Sequence, residues 1–333
     1  MNSIASTRKV TVTRTICGVD VAAQSLEARI GQQGAAGSFA NNPEGIAALG
    51  AFCLAHQAEL VAMEATGGYE QQAFAQLSQQ GLPVAILNPR AVRQFAQSMG
   101  SLEKTDRIDA SMIAWYAAVK KSPPVCLAPH SQQHLRALVT RLRQLTEIRT
   151  AQLNQQRLVT DRAVAASFRK MLTFLAKQIG ELEQRIAALI QQDPLWRQLD
   201  QAFRTIKGVA DRTVARLMAE MPEIGTLPNK TISKLAGVAP LANDSGQYQG
   251  KRRVRGGRAA VREILFIVAS VVGRHEPDFI AFQQRLSTAG KPRKVIRIAL
   301  AHKLLVRLNA KAREVRKRPS VSNFPQRATP LTT

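Results

Sequence analysis

The sequence predicts an α/β domain followed by a mainly helical remainder, an α/β plus all-α chain. Three observations carry this reading. Short β-type runs alternate with helical periods up to Lys120, whereas after Pro123–Pro124 the apolar residues recur almost only at three- and four-residue spacing. The 333 residues are about twice a typical domain. Charge is also uneven. Residues 1–125 hold 10 basic and 9 acidic side chains, residues 126–245 hold 17 and 10, and residues 246–333 hold 20 and 4.

Within the first part, Arg14–Ala22 reads as a short apolar strand, with further strands near Leu26–Gly31 and Gly37–Asn41. Pro43 opens a helix to about His56, because the first turn has no use for the N–H that proline lacks. Glu59–Glu64 is a buried strand, Tyr69–Gln80 a helix and Pro83–Leu87 another strand. A helix follows from about Pro89, and Thr105 caps one more to about Lys120. Three strands followed by αβαβα imply a mixed sheet flanked by helices.

The spacing then predicts long helices. Leu135, Leu138, Leu142 and Leu145 share one stripe; Phe168, Leu172, Leu175, Ile179, Leu182, Ile186 and Leu189 share another. This pattern suits coiled-coil packing, within the chain or between chains, and equally a hairpin packed on its own domain. The expected division is 1–124, a helical coiled-coil region at 125–195, a mainly helical C-terminal domain at 196–315, and a basic, disordered tail at 316–333. The turn Thr205–Ala215 resembles a helix–hairpin–helix, in which N–H groups near Gly208 hold a phosphate; a glycine turn between helices is also commonplace.

Composition narrows the function. An apolar share of 45% supports real cores, and 47 Lys+Arg against 23 Asp+Glu leave a net charge of +24. That excess calls for a polyanionic partner. No apolar run is long enough for a membrane span and no signal-peptide pattern is present, so nucleic acid is the expected partner rather than a membrane. Cys17, Cys53 and Cys126 fit no zinc or disulfide spacing and read as small core residues in a reducing cytoplasm.

Four acids stand out. Asp20 ends one expected strand and Glu64 another; Asp106 and Asp109 lie three apart near a helix start and so share a face. Gathered together they would repel unless a cation neutralised them, and carboxylate oxygens select hard ions, Mg²⁺ or Mn²⁺. Taken singly, each acid also suits a turn or a helix cap. Ser245, within Asn243–Gly246, reads by itself as a turn serine. Lys251, Arg252, Arg253, Arg255 and Arg258 follow it closely, and five cations in eight residues favour nucleic-acid contact over a merely solvated loop.

Specific stretches resemble the DEDD transposases of bacterial insertion sequences and the related Piv-type DNA invertases. They are Gly18-Val-Asp20-Val, Glu64-Ala-Thr-Gly-Gly-Tyr69, Asn88-Pro89, Phe95-Ala-Gln-Ser98, Lys104-Thr-Asp106-Arg-Ile-Asp109-Ala, Leu235-Ala-Gly-Val-Ala-Pro240 and Ser245-Gly246. The resemblance runs from about residue 14 to 313. It implies an RNase H-like (RuvC-like) N-terminal domain whose metal-binding tetrad is Asp20, Glu64, Asp106 and Asp109, and a C-terminal transposase domain in which Ser245 is the nucleophile. It further implies donor and target DNA as substrates, a non-coding bridge RNA as guide, and a homodimer or tetramer with composite sites, acting in the bacterial cytoplasm at the nucleoid. The competing enzyme is a RuvC-like nuclease or junction resolvase that activates water; a non-enzymatic nucleic-acid scaffold is a third reading.

Overall fold

The structure, a computed structural model, describes residues 14–100 and 106–317, with the backbone alone for 106–108. Thr105, expected as a cap, and nearly all of the expected tail lie outside the described residues. The chain forms two compact units, Met1–Ala128 and Pro129–Thr333. The first extends past Pro123–Pro124 because Val125 N–H donates to Val84 O at 2.7 Å, tying the segment after the prolines to the sheet edge.

The first unit contains β1 (Ile16–Val21), β2 (Ser25–Ile30), β3 (Ala36–Ala40), α1 (Pro43–Ala55), β4 (Leu60–Glu64), α2 (Glu70–Gln79), β5 (Val84–Leu87), α3 (Pro89–Ser98) and α4 (Asp106–Lys120). The sheet order is β3-β2-β1-β4-β5. β1–β2–β3 form an antiparallel meander, and β4 and β5 are added in parallel through helical crossovers. Both faces are covered. Cys17, Val19 and Val21 point with Leu26 and Met63 toward Ile46, Leu49 and Cys53 of α1. Ile16, Leu60 and Ala62 point the other way, against Ile113, Ala114 and Ala117 of α4. Burial on both faces is why β1, β4 and β5 read as apolar runs rather than alternating ones. Asn42 and Asn88 cap α1 and α3, each followed by proline at N1.

The second unit contains α5 (His130–Gln156), α6 (Arg162–Gln192), α7 (Pro194–Arg204), α8 (Asp211–Glu220), α9 (Asn229–Leu235), the short strands β6 (Asp244–Ser245) and β7 (Tyr248–Gln249), α10 (Ala259–His275), α11 (Pro277–Thr288) and α12 (Arg293–Lys317). Asp161 starts α6 by accepting from Ala163 N–H and Val164 N–H; Asp193 does the same for α7 at Trp196 N–H. The heptad leucines and isoleucines pack α5 and α6 of one chain into a hairpin. Leu135, Leu142, Leu145, Leu175, Ile179 and Ile186 are buried in the same core as the C-terminal helices.

Of the cysteines, Cys17 and Cys53 are core residues as expected, but Cys126 is exposed. It lies in the coil between α4 and α5, outside any helix or strand that would bury it in a core. Among the described residues, no helix is long and apolar enough to cross a membrane.

Candidate functional site

The acidic residues of the first unit are positioned by the sheet. In β1, Gly18 and Asp20 face α4, whereas Val19 faces α1. A side chain at Gly18 would collide with the backbone of Ala110 and Ala114, so glycine is what lets α4 cross β1 at close range. α4 runs against β1, with Ala114 and Ala117 beside Ile16. Two residues beyond Gly18, Asp20 therefore faces the first turn of α4, which begins at Asp106 and includes Asp109. Glu64 closes β4. The parallel register ends at Val19↔Met63, so the next step sets Asp20 beside Glu64 on the same face, at the carboxyl ends of adjacent strands. Asp20, Glu64 and Asp109 all make interactions of their own. The Asp106 side chain lies outside the described residues, and among the described ones no group of three His, Cys, Asp or Glu converges as a metal site.

Two residues that the sequence reading missed hold the loops around these acids. Glu70 Oε2 accepts from Thr66 N–H at 3.1 Å, Thr66 Oγ1 at 3.1 Å and Gly68 N–H at 2.9 Å, closing the Thr66–Tyr69 loop directly after Glu64. Burial alone would raise its pKa, but these hydrogen bonds outweigh burial and hold the carboxyl below its ordinary range. Asn41 Nδ2 donates to Ala22 O at 2.8 Å and Tyr69 O at 3.2 Å, linking the loop after Asp20 to the loop after Glu64. The sequence signal for Glu70 was its place two residues beyond the Gly67-Gly68 pair, at a helix start.

In the second unit, Ser245 sits on an exposed two-stranded hairpin, opposite Tyr248 in register, with Gly246 at φ +55° in the turn. Asp244 Oδ1 accepts from Gly250 N–H at 3.1 Å. The base of this arm is closed tightly. Leu241 and Arg253 exchange backbone hydrogen bonds, and Gly237 and Gly257 leave no room for a Cβ between them. Lys251, Arg252, Arg253 and Arg255 are exposed, and their side chains make no hydrogen bond or ion pair among the described residues. Arg258 is different. Its guanidinium forms a two-pronged pair with Glu223 at 2.6 and 2.7 Å and donates to Glu220 O at 2.8 Å. That pair outweighs burial and holds the Glu223 carboxyl below its ordinary range.

At the glycine turn before α8, Gly208 has φ +97° and packs on Val271 and Val272 of α10. Lys207 N–H donates to Glu276 Oε1 at 2.7 Å. One N–H expected to meet a phosphate is thus taken by the protein's own buried carboxylate, which also pairs with Arg307 at 3.3 Å.

Comparison with known proteins agrees with both halves. A transposase model of the DEDD IS110 type matches residues 17–164, and a model of the transposase IS116/IS110/IS902 family matches residues 200–284. The chain is 28% identical over 310 residues to the pilin gene-inverting protein of Moraxella lacunata, covering 88% of this chain and 94% of that protein. The protein of the same name from Moraxella bovis matches to the same extent. Two transposase models thus fall in order on one chain, over the sheet with its acids and over the helices with the serine arm, and both parts of the chain match IS110-type transposases.

Proposed function

We propose that this transposase cuts and rejoins DNA strands through a phosphoserine bond at Ser245, assisted by a divalent cation at the RNase H-like first unit. The observation that carries the reading is the placement of Asp20 and Glu64 side by side at the ends of β1 and β4, with Asp109 on the helix that crosses them. An all-carboxylate set suits Mg²⁺, with Mn²⁺ as a substitute, and Mg²⁺ commonly needs only one or two protein carboxylates beside substrate oxygens. Asp20, Glu64, Asp106 and Asp109 would hold it. When bound, the ion would polarise the phosphodiester and stabilise charge on its oxygens.

The chain's own residues supply the rest. Ser245 Oγ attacks phosphorus; the Oγ–P bond forms as the P–O3′ bond breaks, and the serine proton ends on the released 3′-hydroxyl. The new ester conserves the phosphodiester, so rejoining is the reverse attack by a 3′-hydroxyl. An exposed arm suits a nucleophile that must meet DNA and acids carried by another unit. Lys251, Arg252, Arg253 and Arg255 hold backbone phosphates beside it, and Arg258 braces the arm through Glu223 while keeping its place in the basic patch. Sequence choice is delegated to a bridge RNA, which leaves mainly backbone contacts to the protein.

Assembly as a homodimer or tetramer lets one protomer's acids serve its partner's serine. Met171 and Phe174, exposed beside the buried stripe of α6, offer apolar contacts for it. The pilin gene-inverting relatives favour rejoining over simple cleavage. Incubation with donor and target DNA tests the chemistry: wild type should trap protein on DNA and Ser245→Ala should not. Cleavage without an adduct, unchanged in Ser245→Ala, would instead establish the water-using nuclease. Sequencing RNA that co-purifies with the full chain tests the guide.

A further inference from the structure

Beside the acids, on the same sheet face, lies a cation that none of the preceding roles uses. The antiparallel register pairs Gly18 with Arg29 and Asp20 with Glu27, so Arg29 stands across from the point where α4 crosses β1. Arg29 lines a cavity of about 300 Å³ with Glu27, Ala36, Gly37, Ser38 and Ala110. Ala110 is the neighbour of Asp109, so the cavity opens next to the first turn of α4. The Arg29 Nε is buried there without a hydrogen-bond partner, and Arg29 forms no ion pair among the described residues. Glu27, the nearest carboxylate in the strand, is turned to Ser38 Oγ, which donates to it at 2.5 Å. A buried guanidinium N–H left without a partner is costly, so a water or a ligand oxygen must meet it.

We propose that Arg29 is a phosphate-holding residue of the acidic site, donating to a backbone phosphate of the DNA strand that runs past Asp20 and Glu64. Guanidinium suits this task because its planar donors match phosphate oxygens in pairs. Its charge also offsets the repulsion that clustered carboxylates exert on an approaching anion. The cavity between β2, β3 and Ala110 sets the approach to one flank of the acids, so Arg29 fixes the strand's position rather than reading its bases. The inference rests on the proposed role of the acids, and the test separates the two.

Binding of the full-length chain to a random-sequence DNA duplex is measured across a salt series, with and without Mg²⁺, for wild type, Arg29→Gln and Arg29→Lys. Loss of one phosphate contact should make the Gln variant roughly ten-fold weaker at low salt and reduce the slope of log affinity against log salt by about 0.9. The Lys variant should restore the slope. Melting temperature should stay at or above that of wild type in the Gln variant, since no internal partner is lost. Mg²⁺ binding without DNA, read by calorimetry, should be lost in Asp20→Asn and retained in Arg29→Gln. If no variant or wild type binds Mg²⁺ but the slope still falls, the metal reading fails and the phosphate contact stands. A folded Gln variant with wild-type slope overturns the contact, as does a loss confined to an RNA duplex. If the Gln variant does not fold, Arg29→Met is read in its place: a reduced slope supports the contact, and a wild-type slope overturns it.

Discussion

Glu70 and Gly18 show how single residues shape the surroundings of Asp20 and Glu64 without belonging to the predicted tetrad. Glu70 binds two backbone N–H groups and one hydroxyl of the loop after Glu64. Glu70→Gln keeps the shape but loses the charge-assisted bonds, so strand cleavage should fall several-fold while random-duplex binding stays unchanged; a matched pair of assays reads both. Gly18→Ala would push α4 off β1, because the collision is with backbone and cannot be relieved by a rotamer. Thermal melting should show a loss of about 2 kcal/mol or more. Both Glu70 and Glu223 are held below the ordinary carboxylate range in the folded chain. The stability they contribute is therefore full above about pH 4.3, the usual glutamate value, and is lost as pH falls through their lower folded values. Melting temperature should drop on acidification below about pH 5. The drop should be shallower in a Glu70→Gln/Glu223→Gln double variant, and equal slopes would refute the assignment.

Among the elements, the serine arm depends on its base. Gly237 against Gly256 and Gly257, the Leu241–Arg253 bridge and the Arg258–Glu223 pair close the loop, while its tip at Ser245–Tyr248 stays exposed. Arg258→Ala would leave Glu223 half-buried without its partner. It should release the arm, seen as faster hydrogen exchange across 238–257, and depress adduct formation more than DNA binding. In Arg252→Gln/Arg253→Gln the order should reverse, with binding weakened and its salt dependence flattened. The α5–α6 hairpin is held by ordinary core packing, so Leu142→Ala or Ile179→Ala should cost about 2–5 kcal/mol in chemical unfolding.

For the molecule as a whole, charge and function separate along the chain. The unit with the acids carries almost no net charge up to residue 125, and the excess cations follow it, twenty of them after residue 245. Long-range attraction to a polyanion is therefore strongest at the C-terminal unit, which carries the excess charge. Much of this was legible in the chain itself. Short apolar runs and prolines at helix starts predicted the five strands of the first unit and most helices, because their patterns are local. The acids at the ends of Ile16–Val21 and Leu60–Glu64 followed, since a strand end is a local property too. Three-dimensional packing alone decided what depends on partners distant in sequence. Arg258 reads as one more cation of a basic run until Glu223, thirty-five residues earlier, takes its guanidinium. The glycine turn at 208 reads as a phosphate site until Glu276 fills one of its donors. The heptads fit within or between chains until α5 and α6 share a core with α12. Arg29 is an unremarkable strand residue until β1–β2 register sets it across from Gly18, where α4 crosses β1, one pair along from Asp20 and Glu27. Sequence encodes periodicity, and charge by position; which charges neutralise one another and which are left to meet a ligand is a matter of distance, which only the folded chain defines.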